Sequence, residues 1–82
     1  MKPVSKIDRY VIAKVKEKRI AIGYSQADLS YELDVSASFV GQVESDHSKS
    51  RYNLERLNQL AHIFKCPLHD FFPKNPLWVF LN

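Results

Sequence analysis

The chain is poor in the residues that staple or interrupt a fold: one cysteine, two glycines and four prolines in 82 residues. One cysteine cannot close an internal disulfide, which excludes a disulfide-stapled secreted scaffold. The scarcity of glycine and proline favours regular elements over many turns. The longest apolar run, Leu77 to Leu81, falls far short of the roughly 20 residues that a membrane helix needs. No apolar segment follows Met1 as in a signal peptide. The length leaves no room for a barrel, a doubly wound nucleotide enzyme or two domains. What is present is an ordinary folded composition, 45% hydrophobic and 26% charged, which argues against wholesale disorder. The expectation is a soluble, cytoplasmic domain with no membrane partner.

Charge is modest in sum and uneven in placement. The formal net charge is +3. Residues 1–19 carry +5, residues 20–44 carry −4 with no Lys or Arg, and residues 45–65 carry +2. A basic, acidic, basic order suits a polyanion whose phosphates meet the two basic segments. The same pattern also fits a solvated, lysine-rich helix face.

Periodicity supplies the elements. Residues 1–6 read as a flexible basic arm. Ile7, Val11, Val15 and Ile22 recur near a helical period, predicting a helix from Ile7 to Ala21 that ends at Gly23. Ser25 reads as an N-cap with Asp28 as the acidic half of a capping box. That helix runs to about Leu33, with Ala27, Leu29 and Leu33 inward. Asp34-Val35 is a tight connection, and Ser36 reads as the N-cap of a third helix to about Glu44 with Val40 and Val43 inward. Ser45 to Tyr52 is a loop. Asn53 caps a helix from Leu54 to Lys65 whose stripe is Leu54, Leu57, Leu60, Ala61 and Phe64. Pro67 opens a fifth short helix to Phe72. Residues 73–82 form a proline-containing linker and an apolar tail. The two helices between Ser25 and Glu44 are too short to stand alone and make sense as a packed helix-turn-helix.

At this point the residues resemble a family. Arg19, Gly23-Tyr24-Ser25-Gln26 and Leu29, then Val35-Ser36, Val40 and Val43-Glu44, then Leu54, Leu57, Leu60-Ala61 and Phe71-Phe72, are similar to the Xre family of phage repressors and Cro proteins. The resemblance covers about residues 10–72. It implies an all-α, five-helix, lambda-repressor-like DNA-binding bundle over residues 7–72, usually a dimer. It implies that Gln26 bonds a phosphate and braces the reading helix. It places Ser36, Ala37, Ser38 and Gln42 at base-reading or groove-facing positions, with Phe39 between them. Arg19 and Glu44 resemble a pair tying the first helix to the end of the third, the arginine also facing a phosphate. Ser45, His47, Lys49 and Arg51 fall in the loop that follows the DNA strand. Three positions depart from the family pattern: Asp34 and Lys65 replace glycines, and Ser30 replaces an alanine.

Elementary physics favours the same reading. A helix fits the major groove, and side chains near its start reach base edges. The starts of the second and third helices, at Ser25 and Ser36, carry partial positive charge suited to phosphate. Gln42 can bond adenine, while Ala37 or Phe39 can touch a thymine methyl. An exposed phenylalanine at position 39 would find its reason there. Asp28, Glu32 and Asp34 should then point away from the duplex.

Other constellations are weaker. His62, Cys66 and His69 are spaced by four and three, but Pro67 breaks the helix between them and no fourth ligand is obvious, so no metal is expected. Serines and aspartates lie at caps and turns, not in a triad. The expectation is a sequence-specific double-stranded DNA-binding regulator, not an enzyme, needing no cofactor and most simply a repressor. Leu77, Trp78, Val79, Phe80 and Leu81 are expected to pair two subunits, matching a palindromic site, the competing arrangement being packing on the first or fifth helix of the same chain. The alternative is a protein-binding module, such as the antitoxin of a toxin–antitoxin pair, with a small protein partner.

Overall fold

The computed structural model describes residues 4–77, which form four α-helices and a closing 3-10 turn. Helix α1 spans Lys6–Ala21, α2 Gln26–Glu32, α3 Phe39–Glu44 and α4 Leu54–Phe64; the 3-10 turn is Leu68–Phe71. No described helix is long and apolar enough to cross a membrane.

Local chemistry explains the starts. Ser5 caps α1, its hydroxyl accepting from the Asp8 amide at 3.2 Å and donating to the Asp8 carboxylate at 2.8 Å. Ser5 therefore belongs to the cap, and α1 begins one residue before the expected Ile7. The capping box at Ser25 forms as expected, with reciprocal bonds of 2.9 and 2.8 Å to Asp28. These bonds, the Ser25 amide first, hold the Asp28 carboxyl below its ordinary pKa. Asn53 caps α4 through the Arg56 amide at 2.8 Å.

The ends share one device. After α1, α2 and α4 the chain turns through a left-handed residue: Gly23, Asp34 and Lys65, at φ of 80°, 60° and 54°. Each turn carries the paired backbone bonds of a Schellman motif, such as Tyr24 N to Arg19 O and Gly23 N to Ile20 O. Asp34 and Lys65 thus do the work of the glycines they replace, at a cost of roughly 1–2 kcal/mol each in an L-residue.

The core gathers Val11 and Val15 of α1, Leu29 and Leu33, Val40 and Val43 of α3, Tyr52, then Leu57, Leu60 and Ala61 of α4, and Phe71. Several expected positions differ. Ile7, Ile22, Ala27 and Leu54 are exposed. Ile22 lies past the end of α1, where the chain turns off the stripe. Leu54 is on the stripe but in the first turn of α4, at the rim of an open depression with Ile7 and Phe72. Arg19 and Ser30 are buried instead. The expected fifth helix is only a 3-10 turn, because Pro67 before it and Pro73 after it leave room for a single turn. Of the apolar tail, Leu77 is exposed, while Trp78, Val79, Phe80 and Leu81 lie outside the described residues.

Candidate functional site

Helices α2 and α3 pack as a helix-turn-helix around Ser30. Its hydroxyl donates to the Gln26 carbonyl at 2.9 Å and accepts from the buried Val40 amide at 3.0 Å. One amide of the first turn of α3 is thus satisfied from α2. The expected Ser36 N-cap does not form. Ser36 instead bonds through its carbonyl to the Phe39 amide at 3.0 Å, a tight turn, and α3 begins only at Phe39. Ser36, Ala37 and Ser38 consequently lie on the turn leading into α3, all exposed.

Glu44, at the last turn of α3, is the hub of the site. Arg19 donates to it bidentately, Nε to Oε2 and Nη2 to Oε1, both at 2.9 Å. The Arg19 Nη1 also donates to the Tyr24 carbonyl at 2.8 Å. The side chains of this pair are 9% and 2% exposed, so the arginine reserved for a phosphate by resemblance is enclosed as a brace. Gln26 completes the hub, its Nε2 donating to Glu44 Oε1 at 3.0 Å. A primary amide has two N–H donors, and Gln26 is exposed. One donor is fixed on Glu44, and the other has no partner among the described residues.

Gly41 makes that arrangement possible and escaped the sequence reading. A Cβ there would stand 3.0 Å from Gln26 Oε1. A glycine in the middle of a six-residue helix, which ordinary propensity disfavours, was the available signal. Ser30 was visible only as a departure from the family alanine.

The remaining predicted residues ring this hub. Gln42 is exposed and donates to Ser38 Oγ at 3.3 Å, so two polar side chains are linked on the outer face. Ser45 Oγ accepts from the His47 amide at 3.2 Å, shaping the loop after α3. Lys49 is exposed and, among the described residues, pairs with no acid. Arg51 is tied to Asp8 at 3.1 Å with most of its side chain in solvent. Arg9 and Lys16 of α1 line a depression of about 200 Å³ with Ser45, Asp46 and Ser48, adding two cations beside the loop. Phe39 differs from expectation: its ring is half-buried and meets Tyr52 edge-on, centroids 6.1 Å apart. The ring thus has a partner within the molecule.

The two acids of α2 lie away from the hub. Asp28, Tyr31 and Glu32 share a depression with Ile22 and Gly23. On α2 they occupy the side opposite Gln26, Leu29 and Ser30. Below the hub lies Tyr52, buried, with a hydroxyl that has no hydrogen-bond partner among the described residues. Burial first, and the Glu44 charge second, push its phenol well above the ordinary range. His69 pairs weakly with Asp70 at 3.6 Å. The described residues hold no group of three His, Cys, Asp or Glu suited to a metal ion.

A helix-turn-helix family model matches residues 15–71. Among solved structures, the chain is similar to the restriction-modification controller protein C.AhdI from Aeromonas hydrophila. The identity is 25%, the TM-score 0.65, and the match covers 77% of this chain and 92% of that one. It is similar in fold to the hypothetical transcription factor NHTF from Neisseria, at 17% identity and TM-score 0.67 over 88% and 87% of the two chains. Hydroxypropylphosphonic acid epoxidase from S. wedmorenis shares the fold over 85% of this chain but only 36% of its own, at 17% identity and TM-score 0.71. No curated protein sequence matches the chain.

Proposed function

Because the chain belongs to the helix-turn-helix family of Xre/Cro-like DNA-binding domains, we propose that it is a sequence-specific regulator that represses by occupying a double-stranded operator. The observation that carries this is the Gln26 amide, pinned on Glu44 at 3.0 Å with its second N–H free beside an exposed polar face. Binding alone performs the role, with no catalytic step and no cofactor.

In this docking α3 enters the major groove. Ser38 and Gln42 read base edges, with Gln42 suited to adenine and Ala37 to a thymine methyl. Ser36 and Ser45 stand at the groove edge with His47. Gln26 meets one phosphate, and Lys49, with Arg51 as it exchanges Asp8, meets others. Ser25 sets the position of Gln26 through its capping box. Arg19 acts through Glu44. The acids on the far side of α2 avoid repulsion. The likeness to a controller protein supports a regulatory role. Two copies paired through the segment from Leu77 to Leu81 would set their reading helices about 34 Å apart, one DNA turn.

Selection of bound duplexes from a random pool tests this. The expected result is an enriched, palindromic sequence whose affinity falls steeply with salt and drops in Gln26→Ala and Lys49→Ala. No enrichment above background, or affinity indifferent to salt, refutes the reading. A second reading has its own observation. Ile22 and the very exposed Tyr31 border the acidic depression of Asp28 and Glu32, a surface fit for a small basic protein, as in an antitoxin. Co-purification of such a protein from the native host, lost in Tyr31→Asp, would favour it.

A further inference from the structure

Phe39 follows the exposed segment Ser36–Ser38 directly, so whatever fixes its ring fixes the entry to α3. Two residues from outside the helix-turn-helix do so. Tyr52 meets the ring edge-on at an interplanar angle of 62°. Arg56 of α4 lies over it, guanidinium carbon to ring centroid 6.0 Å. The same guanidinium donates to Gln59 Oε1 at 2.9 Å and to the Leu33 carbonyl at 3.4 Å.

Leu33 closes α2, and its carbonyl belongs to the helix end that carries partial negative charge. One planar group therefore grips the last turn of α2 and the first ring of α3. Between those two points lie Asp34 to Ser38, the turn that aims the reading face. The Leu33 contact is long and contributes little alone. Gln59 accepts from the same Nη1 at 2.9 Å and so restricts the guanidinium. Arg56 itself is half-buried, so its role is within the molecule.

We propose that Arg56, held by Gln59 and lying over the Phe39 ring, is a positioning residue that determines how well Ser38 and Gln42 discriminate bases. It touches no base. The proposal rests on the DNA-reading function above. A purely structural residue would lower affinity for every duplex alike, by lowering the folded fraction. A positioning residue lowers the preference for the right duplex and leaves backbone affinity in place, since phosphates tolerate small displacements of long side chains and base edges do not.

The test compares affinity for the duplex selected by the wild type with affinity for a scrambled duplex, at one salt concentration. Arg56→Lys keeps the charge but lacks the planar fork, and Gln59→Leu keeps the arginine but frees it. Both are expected to lose about tenfold in the preference, the scale of one misplaced base contact, with scrambled-duplex affinity and salt slope unchanged. Tyr52→Phe retains the ring contact and is expected to retain the preference. Circular dichroism at the assay temperature confirms the folded state of each variant. If Arg56→Lys does not fold, Gln59→Leu decides alone. A preference within twofold of wild type in a folded Arg56→Lys or Gln59→Leu overturns the proposal while the DNA-reading function stands. A wild type with no preference overturns both.

Discussion

Arg19 lies one helical turn beyond Val15, on the stripe that the sequence gives to apolar side chains, and it is buried there with Glu44. Two charges out of water are tolerable because a fork of two 2.9 Å bonds and a third bond to the Tyr24 carbonyl satisfy the guanidinium. Arg19→Met would strand Glu44 and is expected to cost about 3–5 kcal/mol in urea unfolding. Arg19→Met combined with Glu44→Leu should recover most of that loss, since no buried charge then remains. Its DNA binding should stay weak, because Gln26 has lost its anchor. Tyr52 presents the opposite case, a buried hydroxyl without a partner. Tyr52→Phe is expected to be neutral or to gain up to about 1 kcal/mol at pH 7. The raised phenol pKa has a sign. The neutral phenol contributes stability that is fully present below about pH 10 and is lost as pH rises through the folded pKa. Wild type should therefore lose stability relative to Tyr52→Phe only in strong alkali. A difference between the two that changes with pH near neutrality would contradict this assignment.

At the scale of elements, the decisive contacts sit at helix ends. Gly41 lets α3 lie close enough to α2 for Gln26 to pass beneath it. Gly41→Ala should keep or raise stability by about 0.5–1 kcal/mol through helix propensity. It should also weaken DNA binding severalfold, because the new Cβ displaces the flexible Gln26 side chain. Thermal melts and a binding titration on the same variant would show the two properties moving apart; parallel loss would argue that Gln26 matters only for folding. Lys65 ends α4 at φ 54°, a strained conformation far from the hub. Lys65→Gly should raise stability by about 0.5–1 kcal/mol, a Tm increase of several degrees for a domain of this size. DNA affinity should change little, since Lys65 stands with His62 and Cys66 along a different groove.

Across the whole molecule, folding rearranges the charge pattern of the chain. Several cations of the basic first segment are matched internally: Lys14 by Glu17, Lys18 by Asp70 and Arg19 by Glu44. Lys49 is matched by nothing described, and Arg9 and Lys16 stand beside the same loop. A small number of cations therefore has to supply the grip on a duplex, fewer than the basic residues in the sequence. Removing one phosphate contact should lower the slope of log affinity against log salt by about 0.9. Lys49→Ala is expected to show that decrease on specific and scrambled duplexes alike. An unchanged slope would place Lys49 away from the DNA backbone.

The capping box at Ser25, the cap at Asn53, the turn residues and the apolar spacing make four helices and the helix-turn-helix legible in the sequence, because those signals are local: Ser25 needs only Asp28, and Asn53 only Arg56. The Arg19–Glu44 pair was legible only through family resemblance, since nothing local joins residues 25 positions apart. What the sequence could not show are choices between competing partners. Ser36 does not cap α3: the Phe39 amide bonds the Ser36 carbonyl, and the Val40 amide bonds Ser30 Oγ across the helix interface. Phe39 is half-buried because Tyr52 and Arg56 reach its ring from outside the helix-turn-helix. Leu54 stayed exposed because its stripe outruns the core. Each outcome depends on which groups tertiary packing brings within bonding distance, a quantity that periodicity along one chain does not contain.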